Sequence, residues 1–246
     1  MSDVLKDLAP TGTLRAAMNY TNTVLVQRGT TEQNPKGVAP DLARALGERL
    51  GVPVTFVGFE GAGAVFEARE LPVDDAKAWD IAFMAIEPVR AAGLVFTAPY
   101  VMIEGTYMVP ANSPLQSVDD VDRAGHRIMV AAKSAYDLFL TRSLKHAELI
   151  RGEIGDTPLA DLFEQQKLDA IGGVRQLLQL RADKNADMRL MSGRFMEIRQ
   201  AMATHKDRAA GHAYIKAFVD EMKACGFVED ALARSGQKAT VPAAEG

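Results

Sequence analysis

Residues 85 to 100 read AIEPVRAAGLVFTAPY, an apolar segment that carries one acid, Glu87, and one base, Arg90. A guanidinium keeps its charge and presents a planar fork of donors, so it matches a carboxylate through two parallel hydrogen bonds. Arg90 has two readings: the grip for an anionic ligand, or a solvated side chain at the start of a short helix. Glu87 lies three residues before it, Glu104 sits between Ile103 and Gly105, and Lys133 precedes Ser134 and Ala135. A glutamate raised by desolvation to a pKa of about 6–7 can act as a general acid or base. Glu87, Glu104 and Lys133 are therefore the catalytic candidates if the protein turns a substrate over. Nucleophilic hydrolysis has no support, because no G-x-S-x-G occurs, and there is no G-x-x-x-x-G-K-[ST] phosphate loop. His126, His146, His205 and His212 lie in segments read as surface or helix faces, none with a neighbour at metal-ligand spacing. Neither a metal nor a cofactor is expected.

These groups need elements to hold them. In the first half, TLRAAMN (13–19), VTFVGF (54–59) and DIAFMAI (80–86) read as strands, alternating with helices near 39–50 and 62–70. Such alternation predicts a largely parallel sheet covered on both faces. The first of the helices has Leu42, Ala45, Leu46 and Leu50 at three- and four-residue spacing, Pro40 and Asp41 in its first turn, and Gly51 and Pro53 beyond its end. Asp41 is read as support for that turn. The polar stretch NSPLQSVDDVDRAG (112–125) follows, and a second alternation begins: strands at 126–132, 147–152 and 168–173, helices at 135–146, 158–167 and 174–183. After EIRQAMATHK (197–206), a helix from about 207 to 225 places Tyr214, Ala217, Phe218, Met222 and Cys225 on one face and stops at Gly226; the tail ATVPAAEG reads as frayed. In open parallel sheets ligands bind beyond the carboxyl ends of the strands, where helix N-termini offer unpaired N–H groups. The loops after residues 19, 85 and 131 are the places to look.

The totals agree with a chain of this kind. With 246 residues and 48% of them apolar, a core of one large domain or two lobes can be buried. A net charge of −4 and a pI near 5.6 exclude a nucleic-acid surface. The single cysteine, Cys225, is read as a buried helix residue without a partner. No stretch is long and apolar enough to insert into a membrane, and MSDVLKDLAPTGTL lacks the apolar run of a signal peptide. The expected location is cytoplasmic if the chain is complete as written, and periplasmic if a leader has been trimmed.

Several stretches, in order, resemble the bacterial family 3 extracellular solute-binding proteins, the amino-acid-type receptors of ABC importers. They are GTLRAAMNYTNT (12–23), GVAPDLARALGERLGVPVTFV (37–57), WDIAFMAIEPVRAAGLVFTAPY (79–100), SVDDVDRAGHRIMVAAKSA (117–135), LFEQQKLDAIGG (162–173) and the closing helices. The resemblance implies an α/β, two-lobed type II periplasmic-binding fold with a ligand cleft between lobes and two crossings, near 107–112 and 190–197. Lobe 1 would comprise residues 1–109 and 195–246, and lobe 2 residues 110–194. It also implies that the turn from Met84 through Ala85 to Arg90 supplies the arginine that grips the ligand's carboxylate. Removing that arginine is then expected to abolish ligand binding and to leave the apo protein nearly as stable as before. Asn19, Tyr20 and Asn22 follow the first strand, where the family presents polar and aromatic groups; Tyr20 either stacks on ligand or packs on its own lobe. Tyr100, Glu104 and Thr106 run into the first crossing, and Glu104 either bonds to the hinge or reaches the cleft. Phe195 and Met196 are read as hinge packing.

The chain departs from that pattern in informative places. Glu87 stands where the family has a threonine or serine, and a carboxylate there would repel a bound carboxylate unless it turns away, pairs with Arg90, meets a cation or carries a proton. Lys133, Ser134 and Ala135 replace a Gly-Ser-Thr turn, which keeps the backbone donors and adds a charge, with Tyr136 one turn further on. Val174 stands where amino-acid receptors carry an aspartate for the ligand's ammonium group, and Ala98 replaces a second acid. The implied ligand is a small organic acid, or an amino acid whose amine is absent or met by Glu87 or Glu104. The leading expectation is a solute-binding protein for a small carboxylate, partnered by an ABC transporter's membrane component. The alternatives are an acid-base lyase of the cyclohexadienyl-dehydratase type using the same cleft, and a cytoplasmic metabolite sensor.

Overall fold

The computed structural model describes residues 2–153 and 158–244. The chain forms two compact units, Met1–Met102 with Arg199–Gly246 and Ile103–Ile198. In chain order the elements are α1 (Ser2–Leu8), β1 (Leu14–Asn19), α2 (Val38–Leu50), β2 (Val54–Phe59), α3 (Ala62–Glu67), β3 (Ile81–Ala85), α4 (Pro88–Ala91), β4 (Leu94–Phe96) and β5 (Val101–Pro110). There follow β6 (Arg127–Ala131), α5 (Ala135–Ser143), β7 (Glu148–Gly152), α6 (Leu159–Gln165), β8 (Ala170–Val174), α7 (Arg175–Ala182) and β9 (Met188–Leu190). The chain closes with β10 (Met196–His205), α8 (Ala209–Ala224) and α9 (Phe227–Arg234).

In the first unit β1 runs parallel to β2, with Leu14 opposite Val54 and Asn19 opposite Phe59, and parallel to β3 on its other side. β10 is antiparallel to β3, with Gln200 opposite Ala85, and takes β4 on its far end. All five residues of β3 are buried, the continuous apolar run that an inner strand requires. Helix α2 buries Val38, Leu42, Ala43, Leu46 and Leu50, and ends at Gly51, whose φ of 69° an L side chain would adopt only under strain. Trp79, Val57, Phe59, Val65 and Met84 belong to one core cluster of this unit.

The second unit repeats the logic on a smaller scale. β6 lies parallel to β7 and β8, while β5 is antiparallel to β8, with Gly105 opposite Val174, and to β9. Its core gathers Tyr107, Val109, Ile128, Val130 and Leu140, with the ring of Phe195 tilted against that of Tyr107 at 4.5 Å.

The chain changes units after Met102 and after Ile198, near the start of β5 and the start of β10. Strand β5 shows no alternation over residues 105–109 because both of its faces are buried there, Thr106 included. Other expectations need correction. The buried stripe of α8 is Gly211, Ile215, Phe218, Val219 and Met222; Ala217 is exposed, and Cys225 is exposed at the helix end. The tail is held at Thr240, which exchanges backbone hydrogen bonds with Met102, and residues 245 and 246 lie outside the described residues. Asp41 does more than start a helix: it accepts from Arg44 at 3.2 Å and from Arg234 at 3.0 Å, fixing α9 to α2. Among the described residues no helix is long and apolar enough to cross a membrane, and no three His, Cys, Asp or Glu side chains are grouped to hold a metal.

Candidate functional site

In the first unit the carboxyl ends of β1 and β3 share one edge of the sheet, because Ala16 pairs with Ile81 and Ala17 with Ala82. That edge carries the loop from Asn19 and the turn from Ala85. Pro88 at the first position of α4 and Glu87 in extended backbone before it set the turn. Arg90 is buried to 1% exposure and Glu87 to 3%, so Arg90 is not a solvated surface residue. Arg90 Nη1 donates to the carbonyl of Ala85 at 3.0 Å. Burial pulls its pKa down to about 10, and the charge of Glu87 opposes that fall. An acid and a base buried side by side leave the turn near neutrality.

The neighbouring groups divide by what they touch. Asn19 Oδ1 accepts from the backbone N–H and hydroxyl of Thr21 at 3.1 and 2.8 Å, so that side chain shapes its own loop. Tyr20 packs within its own unit: its ring lies against Gly58, where an added Cβ would meet Cε2 at 2.7 Å, and beneath the guanidinium of Arg28 at 4.1 Å. Asn22 Oδ1 and the Tyr100 hydroxyl are buried and make no hydrogen bond among the described residues. Tyr100 is brought level with Ala85 by its backbone bond to Gln200, and burial pushes its hydroxyl pKa well above the usual range. An orphaned buried polar atom costs about 1–3 kcal/mol, and a bound molecule can offset that cost.

The second unit has its own carboxyl edge, where β6 and β8 end side by side. Lys133, exposed, adopts a φ of 59°, the left-handed region in which glycine is the cheap solution. Its backbone N–H donates to Asp137 Oδ2 at 2.8 Å; Ser134 Oγ caps α5 by accepting from the N–H of Asp137 at 3.0 Å. Asp137 is in turn held by Arg151 Nε at 2.9 Å. Ala135 is buried in the first turn, and Tyr136 packs on the core of its own unit, its pKa pushed up to about 12 by burial. The backbone conformation gives a direct test: Lys133→Gly should change thermal stability by less than about 0.5 kcal/mol, whereas Lys133→Val should cost more than about 1 kcal/mol in the same melts.

Gly105 lies opposite Val174 across β5 and β8, and Glu104 precedes it on β5. Glu104 accepts from Arg175 Nε at 2.5 Å and from Arg194 Nη1 at 2.9 Å, and Arg175 also bonds to the carbonyl of Gly193. Arg194 first and Arg175 next hold the carboxyl below the usual glutamate range, against burial. It stays ionised at neutral pH, the reverse of the raised value an acid-base role requires. A depressed folded value contributes stability above the unfolded pKa, and that stability is lost as pH falls through the folded value. Acid titration of urea midpoints below about pH 4 should therefore show a shallower loss for Glu104→Gln than for the parent.

Arg175 and Arg194 escaped the sequence reading. The signal for the first is its position directly after Val174, where an acid was sought and a base stands one residue on. The side chains of Asn19 and Tyr20 are committed to contacts within their own unit.

A comparison with protein families matches residues 14–235 to the bacterial extracellular solute-binding proteins, family 3. Among solved structures, the solute receptor for L-cysteine of Neisseria gonorrhoeae is 20% identical, covers 92% of this chain and 90% of its own, and superposes with a TM-score of 0.75. An amino acid ABC transporter substrate-binding protein from Streptococcus pneumoniae, bound to L-arginine, is 19% identical over 94% of this chain and 99% of its own, at 0.72. The ancestral amino acid-binding protein AncCDT-1, a precursor of cyclohexadienyl dehydratase, is 20% identical over 94% and 98%, at 0.71. No curated protein matches the chain. At these identities the structures establish the fold, which is the two-lobed type II periplasmic-binding fold, and the family match over nine-tenths of the sequence establishes the rest: the chain belongs to the bacterial extracellular solute-binding proteins of family 3.

Proposed function

We propose that the protein is a receptor for a small carboxylate-bearing metabolite, an organic acid or an atypical amino acid, that serves an ABC transporter. The observation that carries this reading is Arg90, buried at the carboxyl edge of the sheet in the first unit. Burial disfavours its charge, and an anion seated against the guanidinium would offset that cost. The ligand's carboxylate is assigned to Arg90 because a fork of two N–H groups matches it. Glu87, beside it, is assigned any cationic group the ligand carries, in place of the acid missing at Val174. Asn22 Oδ1 and the Tyr100 hydroxyl supply further polar contacts on the same unit. In the second unit the head of α5, with Lys133 and Ser134, is assigned to ligand contact as well.

Native mass spectrometry of the purified protein, followed by thermal-shift screening against organic acids, amino acids and cyclic acids, tests the proposal. A carboxylate that raises the melting temperature and is recovered unchanged supports a receptor. Ligands that stabilise equally well after their carboxylate is converted to an amide would defeat the assignment to Arg90. A hit consumed at substoichiometric protein would replace the receptor with a lyase.

A further inference from the structure

A second cluster lies in the first unit, at the end of the sheet opposite the loops after Asn19 and Ala85. Asp80, fully buried just before β3, is the hub. Its Oδ2 accepts from the backbone N–H and Nε of Arg15 at 3.0 and 2.9 Å. Its Oδ1 accepts from Arg15 Nη2 at 2.8 Å and from Arg208 Nη1 at 2.9 Å. Four donors saturate a carboxylate. Arg15 Nη1 is engaged with the carbonyl of Val73 at 2.6 Å. Arg208 is different: its side chain is only 16% exposed, it places one N–H on Asp80, and its Nε and Nη2 donors meet no acceptor among the described residues. Two guanidiniums thus share one buried anion, and the surplus charge belongs to Arg208.

These groups open onto a cavity of about 120 Å³. Its wall includes Trp79 and His205, whose rings lie 4.5 Å apart, and its mouth carries Leu71 and Val73, exposed to 37% and 51%. Arg69 on the wall is answered by Glu70 at 2.6 Å. Asp207, also lining, is exposed and so screened by solvent. His205 presents Nε2 to the carbonyl of Trp79 at 3.0 Å, so its proton sits there, and burial and Arg208 keep the ring below its ordinary pKa and neutral. The cavity therefore offers one unspent guanidinium fork, a neutral imidazole and an apolar rim.

We propose that this cavity is a second binding site, for a short aliphatic carboxylate whose oxygens meet Nε and Nη2 of Arg208 and whose carbon chain lies against Trp79, Leu71 and Val73. Two adjacent N–H groups on one side of a guanidinium fit a carboxylate side-on. The volume suits a molecule of a few heavy atoms, and Leu71 and Val73 give a short carbon tail apolar surface to lie against in a cavity whose exposed lining is otherwise mostly polar. The site is independent of Arg90.

Trp79 is the only tryptophan in the sequence, so its fluorescence reports on this cavity. Titration with sodium propionate, at ionic strength held constant with chloride, should give a saturable change in Trp79 emission. Arg90→Lys should bind propionate here as the parent does; Arg208→Gln, which keeps a donor for Asp80, should weaken it about tenfold or more. Leu71→Asp, on the exposed rim and clear of Asp80, should weaken it too and covers the case in which the Arg208 variant does not fold. A linear, unsaturated response to propionate, or loss of the response in Arg90→Lys, would overturn the proposal. Inorganic phosphate binding more tightly than propionate would overturn the assignment of the rim to a carbon tail.

Discussion

Arg90→Lys should fold like the parent and lose most of its ligand affinity. Lysine keeps a positive charge beside the buried Glu87, so the turn between β3 and α4 retains its compensation. What it loses is the fork, and each charge-assisted hydrogen bond to a carboxylate contributes about 1.5–3 kcal/mol. One lost bond already corresponds to a weakening of about tenfold to a hundredfold. Arg90→Ala should lose binding as well, but at a second cost: it leaves the Glu87 carboxylate buried without its neighbouring charge, a change of about 3–5 kcal/mol. The apo protein is therefore not indifferent to that change, contrary to what the sequence alone suggests, because Glu87 is buried too. Thermal melts with and without a screened ligand separate the two effects. A Lys variant that keeps the parent's ligand-induced shift would remove Arg90 from the binding account.

Asp80→Ala should be the most destabilising single change in the first unit. It deletes the acceptor of four hydrogen bonds and leaves Arg15 and Arg208, both mostly buried, facing each other with no anion between them. Breaking one partner out of a buried ion pair costs about 3–5 kcal/mol, and here two cations are stranded. For a chain of this size that amounts to a fall of about 10 °C or more in melting temperature. Asp80→Asn keeps the shape and one acceptor oxygen and should fall between the two. If Asp80→Ala melts within about 1 kcal/mol of the parent, the cluster at this end of the sheet is a surface network of the weak kind.

The inner elements were legible because burial writes itself into residue type. DIAFMAI announces an inner strand, and the spacing of Leu42, Leu46 and Leu50 announces a helix with its stop at Gly51. Arg90 was legible too, since a lone base in an apolar turn demands an explanation. Pairings across long sequence gaps were not. Nothing near Glu104 reveals that Arg175 and Arg194, 71 and 90 residues on, will hold it ionised. Asp80 and Arg208 are 128 residues apart, and each alone reads as an ordinary charge at an element end. Tyr20 shows the same limit at short range: both of its readings were open until Gly58, on the neighbouring strand, proved to make room for its ring.

The place of β10 in the chain has a consequence for synthesis. The strand that covers β3 arrives only after all of Ile103–Ile198 has been made, although β3 itself ends at Ala85. The second unit is one unbroken stretch and can fold as it leaves the ribosome, whereas the first must wait with the edge of its most apolar strand open. An unpaired apolar edge is a template for association with other chains. Nascent chains stalled before Met196 should therefore depend on a chaperone, and chains released after α8 should not, so the second unit acts in effect as a timer on the completion of the first.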